Sequence, residues 1–115
     1  MGLKYLDSQK LSNHPSGNKP LVVCSLGDAS ITEGEVAEAF QMAVLKKLPI
    51  VYLVQDNEWD ISAHASEIRA MDATGYAKGF HGLQVRTIDG TDFETCYETV
   101  QEVFDAVRNG EGPFM

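Results

Sequence analysis

The chain has 115 residues, which is enough for one domain with a hydrophobic core and too few for two. Hydrophobic residues make up 43% of it, a composition typical of globular proteins and not of disordered chains. The net charge of −8 argues against a nucleic acid or an anionic membrane surface as the main partner, since both attract clustered lysine and arginine.

Features of secreted and membrane proteins are missing from the sequence. No segment has the roughly 20 consecutive apolar residues of a membrane-spanning helix, and the start, MGLKYLDSQKL, lacks the apolar core of a signal peptide. The two cysteines, Cys24 and Cys96, are far apart, and we interpret them as buried free thiols. We therefore expect a cytoplasmic protein with neither nucleic acid nor membrane as a partner.

The predicted elements of the first half are a strand, a helix and a second strand. Residues 1–20 end in the turn-rich stretch SNHPSGNKP and are interpreted as an N-terminal arm and connector. The apolar runs LVVCSL at 21–26 and IVYLV at 50–54 predict strands that are covered on both faces. Helical spacing from Val36 to Lys47 predicts a helix between them, which a Thr32–Glu35 capping box would begin.

The second half repeats the alternation. A short helical piece is expected within Met71 to Phe80, a strand at 83–88 (LQVRTI), and then a helix capped by Thr91 with Glu94 and stopped at Gly110. The apolar stripe predicted to join the core on this last helix consists of Phe93, Tyr97, Val100, Phe104 and Val107. The expected fold class is α/β, with three layers and a mainly parallel sheet.

The sequence ends in GPFM, which is similar to the opening of a further strand. We therefore interpret the chain as a fragment, with residues 21–115 forming a partial, truncated domain. A parallel sheet that ended there would expose an apolar edge, so self-association is also expected.

Polar residues follow both strands of the first half. Asp28 comes after the first strand, and Asp56 and Asn57 come after the second. Because ligands of parallel sheets bind beyond the carboxyl ends of the strands, Asp28 and Asn57 would meet at one edge if the strands are neighbours. Carboxylate and amide oxygens suit magnesium, and the following helix N-terminus attracts phosphate. The alternative is that Asp28 only caps a turn.

These residues resemble the motif of thiamine diphosphate enzymes, in which GDG is followed after a spacer by NN. The motif stands here as Gly27-Asp28-Ala29 and Asp56-Asn57. The stretch GDASITEGEVAEAFQMAVLKKLPIVYLVQDNEWDIS, residues 27–62, is similar to the alpha subunits of the decarboxylating first component of 2-oxo acid dehydrogenases. A weaker similarity continues through GYAKGFHGLQVRTIDGTD, residues 75–92.

The resemblance implies a role for each matching residue. Asp28 and Asn57 would ligate magnesium through their side chains, and Trp59 through its backbone carbonyl. The residues whose backbone would approach the diphosphate are Gly27, Ala29 and Ser30. The metal would hold the cofactor in position, and thiamine diphosphate itself would supply the decarboxylation chemistry.

Two positions depart from the family pattern. Ala29 replaces the third glycine of GDG and adds a methyl group near the phosphate, and Asp56 replaces the first asparagine of NN and adds a carboxylate. No catalytic residue is expected in this chain, because the pyrimidine-activating glutamate and the active-site histidine of the family lie elsewhere. His64 is interpreted as structural in preference to catalytic.

The resemblance also implies what the parent enzyme does. It would oxidatively decarboxylate a 2-oxo acid, with 2-oxoisovalerate favoured over pyruvate, and pass the acyl group to a lipoyl-bearing acyltransferase. It would be a homo-oligomer, and the remainder of the enzyme would supply the pyrimidine-binding half. Two alternatives stay open: a transketolase-like or other thiamine diphosphate enzyme, and a non-catalytic α/β binding module.

Overall fold

A computed structural model describes residues 19–115 of the chain. The predicted arm therefore lies almost entirely outside the described residues. The elements in chain order are β1 (Val22–Gly27), a 3-10 turn (Ala29–Thr32), α1 (Gly34–Lys46), β2 (Ile50–Gln55), α2 (Ala65–Ile68), α3 (Ala73–Lys78) and α4 (Phe93–Arg108). The alternation of strands and helices confirms the α/β class.

The sheet is parallel, as the apolar runs predicted. β1 pairs with β2 from Val22 opposite Ile50 to Gly27 opposite Gln55. The C-terminal residues lie along the other side of β2, where the Tyr52 N–H donates to the Phe114 carbonyl over 2.8 Å. Phe114 thus forms a parallel bridge with β2, and the strand-like start predicted at GPFM is confirmed.

The predicted strand at residues 83–88 is present only in part. Gln84 forms a parallel bridge with Phe114, and the Arg86 N–H donates to the Met115 carbonyl over 2.9 Å. Among residues 19–115, regular strands are nevertheless confined to β1 and β2. The 83–88 segment is aligned with the sheet by hydrogen bonds to residues 113–115 without forming a regular strand.

Helices lie on opposite faces of β2, which confirms the three predicted layers. The prediction that both strands are covered on both faces is wrong for β1, where no residue is buried and Val23 is 45% exposed. Neighbouring residues of β2 point to opposite faces, because side chains alternate along a strand. Tyr52 packs with Phe40 of α1 in one cluster, and Val51 packs with Val103 and Val107 of α4 in another. Phe40 is fully buried and meets Tyr52 edge-to-face, with 4.7 Å between ring centroids.

The capping box predicted at Thr32 and Glu35 is wrong. The Thr32 hydroxyl donates to the Ala29 carbonyl over 3.0 Å and so closes the 3-10 turn. α1 begins one residue later than that box requires, with Glu33 as its N-cap and no side-chain capping bond. Glu35 lies in the first turn of α1, where a carboxylate complements the helix dipole.

The cap predicted for α4 is also wrong by one residue. The Asp92 carboxylate accepts from the backbone N–H of Glu94 and of Thr95, at 3.1 and 3.3 Å. Thr91 instead donates its hydroxyl to Asp89 over 2.7 Å. The predicted stop is confirmed, because α4 ends at Arg108 and Gly110 follows with a φ of +90°.

The apolar stripe of α4 reaches the core only in its second half. Within the predicted stripe, Val107 is buried and Phe104 is half-buried, whereas Phe93 is 82% exposed and Tyr97 is 58% exposed. Val103, which is not part of the predicted stripe, is also buried against the sheet. The prediction that the whole stripe joins the core is therefore wrong. Helical spacing shows that the residues share one face, but not how far the sheet extends beneath that face. Both cysteines are free, as predicted, but each is only half-buried, so the prediction of buried thiols is met in part.

Candidate functional site

The carboxyl ends of β1 and β2 bring the predicted site residues to one edge. Because Gly27 pairs with Gln55, the residues that follow, Asp28 and Asp56, leave the sheet side by side. The Asp28 N–H continues the ladder by donating to the Gln55 carbonyl over 3.3 Å. The two loops therefore start at the same edge of the sheet, as expected for residues that follow neighbouring parallel strands.

Asp28 is almost completely buried, with only 1% of its surface exposed. It is the first residue after β1 and precedes the 3-10 turn, whose Ile31 is fully buried and fixes the loop against the core. An ionised carboxylate in such a place requires a counter-charge or hydrogen-bond donors, since burial removes its hydration. Its burial thus distinguishes Asp28 from an exposed aspartate that only caps a turn.

The counter-charge comes from Arg69, a residue that the sequence reasoning did not single out. Its Nη2 lies 2.5 Å from Asp28 Oδ2 and 3.8 Å from Asp56 Oδ1. Arg69 follows α2, and its side chain is 4% exposed. Its Nε and Nη1 atoms are buried and have no hydrogen-bond partner within residues 19–115.

The pKa values of Asp28 and Asp56 are shifted in opposite directions. Burial opposes ionisation of Asp28, but a hydrogen bond with Asp56 and the positive charge of Arg69 outweigh it and hold the pKa of Asp28 below its ordinary value. Burial, together with the bond and the charge of Asp28, raises the pKa of Asp56. Asp28 therefore loses its proton at a lower pH than Asp56 does.

The loop after β2 is held by local bonds. Asn57 accepts the backbone N–H of Trp59 on its side-chain oxygen, at 3.0 Å, in a turn. Trp59 forms an antiparallel bridge with His64, and their rings meet edge-to-face at 5.1 Å. His64 caps α2 by accepting from the Ser66 N–H over 3.3 Å. This gives His64 a structural role, as its interpretation expected.

Gly27 ends β1 and Ser30 lies in the 3-10 turn that follows, and the resemblance predicts that their backbone approaches a diphosphate. A Cβ atom added at Gly27 would have only the Ser30 hydroxyl nearby, at 3.9 Å. The protein's own packing therefore does not require glycine at this position. Ser30 is exposed and Ala29 is half-buried, both within the 3-10 turn.

A cavity of about 590 Å³ adjoins this edge. Its lining runs from Asp56 and Asn57 at the carboxyl end of β2, past Leu53, to Val100 on α4. Most of the lining is apolar, and the loop after β2 contributes Asp56 and Asn57 to it. The loop after β2 therefore places oxygen atoms of Asp56 and Asn57 beside an apolar wall.

The donor set fits the chemistry of magnesium, which prefers carboxylate, amide and carbonyl oxygens and retains water or phosphate in its other positions. Asp28, Asn57 and the Trp59 carbonyl are donors of this kind. No cluster of three or more His, Cys, Asp or Glu side chains arranged for a metal occurs within residues 19–115. A metal at this site would therefore need amide and backbone oxygens as ligands in addition to a carboxylate. It would also lie close to Arg69, which contacts Asp28.

The fold and the residues at the carboxyl edge of the sheet together define an α/β protein with a candidate metal and phosphate site at the ends of its parallel strands. A family model described as the dehydrogenase E1 component matches residues 9–115. The chain belongs to this family. Within residues 19–115, no helix combines the length and apolar character needed to cross a membrane.

Several curated proteins are similar to the chain. The pyruvate dehydrogenase E1 component subunit alpha of Rickettsia typhi is 34% identical over 101 residues, which cover 85% of this chain and 30% of that protein. The 3-methyl-2-oxobutanoate dehydrogenase subunit alpha of Mycobacterium tuberculosis is 33% identical over 93 residues, covering 81% and 25%. The chain thus spans less than a third of the length of these relatives.

Proposed function

We propose that this chain is the diphosphate- and magnesium-binding part of a thiamine diphosphate-dependent 2-oxo acid dehydrogenase. The observation that carries the proposal is the meeting of Asp28 with the Asp56-Asn57 loop at the carboxyl edge of the parallel strands. Membership of the dehydrogenase E1 component family supports the class of reaction. It also speaks against the transketolase-like alternative.

The residues of this chain would bind and orient the cofactor. Asp28 and Asn57 would hold magnesium through their side-chain oxygens, and Trp59 through its carbonyl. The backbone that would approach the diphosphate belongs to Gly27, Ala29 and Ser30. Thiamine diphosphate, when bound, supplies the carbanion and the electron sink for decarboxylation of the 2-oxo acid. The contribution of this chain is therefore positioning and charge neutralisation, which are separate from bond breaking.

The substrate class that we propose is a small 2-oxo acid. Relatives named for pyruvate and for 3-methyl-2-oxobutanoate, which is 2-oxoisovalerate, match the chain about equally well. The similarity therefore does not favour 2-oxoisovalerate over pyruvate. We further propose that the parent enzyme hands its acyl group to a lipoyl-bearing acyltransferase and that the rest of the enzyme supplies the pyrimidine-binding half.

The experiment that tests the site is a titration with magnesium and thiamine diphosphate, followed through backbone amide chemical shifts. We expect metal-dependent shifts at residues 27–31 and 55–60 and their loss in Asp28→Asn, which removes the charge with little change in shape. Asp105→Asn on the exposed face of α4 is the matched control and should respond like the wild type. A folded wild-type protein without shifts at either loop would favour the non-catalytic binding module.

A further inference from the structure

The Arg69 side chain combines deep burial with incomplete hydrogen bonding. Among the described residues, its one short contact to a carboxylate is from Nη2 to Asp28, at 2.5 Å, and the distance to Asp56 is 3.8 Å. The other two guanidinium nitrogens, Nε and Nη1, are buried without partners within residues 19–115. A guanidinium is normally retained in such a place only when its charge is needed.

The charge is needed by Asp28. The carboxylate has 1% of its surface exposed, so water cannot stabilise its ionised form. Arg69 is the cation that does so, and the Asp28 Oδ2 atom that it contacts is one of the two oxygens that a metal would use. Magnesium binds oxygen at about 2.0–2.1 Å, so a metal on Asp28 would lie only a few ångströms from the guanidinium. Two cations this close in a buried site repel each other strongly.

We propose that Arg69 is an exchangeable internal counter-ion that competes with the divalent cation for Asp28. This inference rests on the proposed function, because it assigns a role to Arg69 within the same metal site. Without metal, Arg69 neutralises and orients Asp28. When metal binds, the guanidinium withdraws from Oδ2. Arg69 is thus a positioning residue that sets the metal affinity of the site.

The exchange requires only the Arg69 side chain to move, because its backbone and the preceding loop are held in place. The Arg69 backbone is tied to α2 by its N–H, which donates to the Ala65 carbonyl over 2.9 Å. The loop before α2 is fixed by the bridge between Trp59 and His64. Because Nε and Nη1 have no partner in the described part of the chain, the guanidinium gives up few bonds when it leaves Asp28.

The test compares the magnesium affinity of the wild-type protein with that of Arg69→Gln and Arg69→Lys, by calorimetric titration of magnesium chloride in the presence of thiamine diphosphate. We expect Arg69→Gln to bind magnesium roughly tenfold more tightly, which is within the usual range for coupled sites. Arg69→Lys keeps the charge and should remain close to the wild type. Arg108→Gln, which removes an arginine paired with Asp105 at 3.5 Å at the end of α4, is the matched control and should change nothing.

A gain in affinity distinguishes competition from a merely structural role, which would weaken binding when it is lost. Equal or weaker binding by Arg69→Gln, with normal binding by the wild type, would overturn the inference and leave the proposed function standing. If neither the wild type nor any folded variant bound magnesium, both the inference about Arg69 and the proposed function would be overturned. If Arg69→Gln does not fold, the Nε resonance of Arg69 in the wild type decides. The resonance must move together with the Asp28 amide during the titration, and an unmoved Nε resonance would refute the exchange.

Discussion

At single glycines, the backbone conformation and the space around the Cα atom separately determine whether a side chain can be added. Gly82 has a φ of +104°, and a Cβ atom there would lie 2.9 Å from the Val44 side chain. Gly110 has a φ of +90° but open space around it, and Gly90 has open space and no positive φ. An added methyl group therefore meets both backbone strain and a close contact at Gly82. At Gly110 it meets backbone strain alone, and at Gly90 it meets neither.

We predict an ordered series of alanine substitutions. Gly82→Ala should lower the free energy of unfolding by roughly 2–4 kcal/mol, because strain and overpacking add. Gly110→Ala should cost about 1 kcal/mol from the backbone alone. Gly90→Ala serves as the control and should stay within about 0.5 kcal/mol of the wild type. Urea denaturation at pH 7 measures all three, and a Gly82→Ala variant as stable as the control would contradict the packing around Val44.

The candidate site shows which residues a single sequence can reveal. Asp28, Asp56 and Asn57 could be found because they follow apolar runs of strand length, and parallel strands place such residues at one edge. Arg69 could not, since it lies 41 residues from Asp28 and follows a four-residue helix that carries no strong periodicity. Its role depends on burial and on a distant contact, neither of which is encoded in local spacing.

At the scale of elements, the N-cap of α4 links stability to pH. Hydrogen bonds to Asp92, first from the Thr95 hydroxyl and then from the Thr95 backbone N–H, lower the pKa of its carboxyl group. A folded-state pKa below the unfolded value means that ionised Asp92 stabilises the folded protein. This contribution is present above the ordinary pKa of 3.8 and is lost as the pH falls through the lowered value.

We therefore predict that Asp92→Ala lowers the melting temperature at pH 7 and that the difference from the wild type shrinks below pH 3.8. Glu98→Ala, an exposed substitution within the same helix, is the control and should show no such pH dependence. Thermal unfolding followed by circular dichroism from pH 2.5 to pH 7 provides the measurement. A constant difference across that range would show that the carboxylate charge does not contribute to the cap.

The same cap explains why element boundaries were harder to predict than the elements. Thr91 with Glu94 and Thr32 with Glu35 both match the spacing of a capping box. In each case the helix begins one residue later, because the threonine is already bonded within the preceding turn. The existence of α1 and α4 follows from many apolar positions, whereas each boundary depends on one competing hydrogen bond.

At the scale of the whole molecule, the three-layer arrangement could be predicted because both strands are apolar on both faces. The extent of the sheet under α4 could not. The second half of that helix packs on Val51 and Phe114, while Phe93 and Tyr97 in its first half stack on each other, with 6.3 Å between ring centroids, in an exposed position. Helical periodicity alone gives no measure of how wide the opposing layer is.

This exposed aromatic pair leads to a prediction about assembly. Apolar surface of this kind favours association between copies of the chain, so the weight-average sedimentation coefficient of the wild type should rise with protein concentration. The double substitution Phe93→Ser and Tyr97→Ser should reduce that rise while changing the free energy of unfolding by no more than about 1 kcal/mol, because both side chains are exposed. Leu45→Ser is the control, since Leu45 is 73% exposed on α1, the helix on the opposite face of the sheet. It should leave the association unchanged. A sedimentation coefficient of the wild type that stays constant at high concentration would show that the pair does not drive self-association.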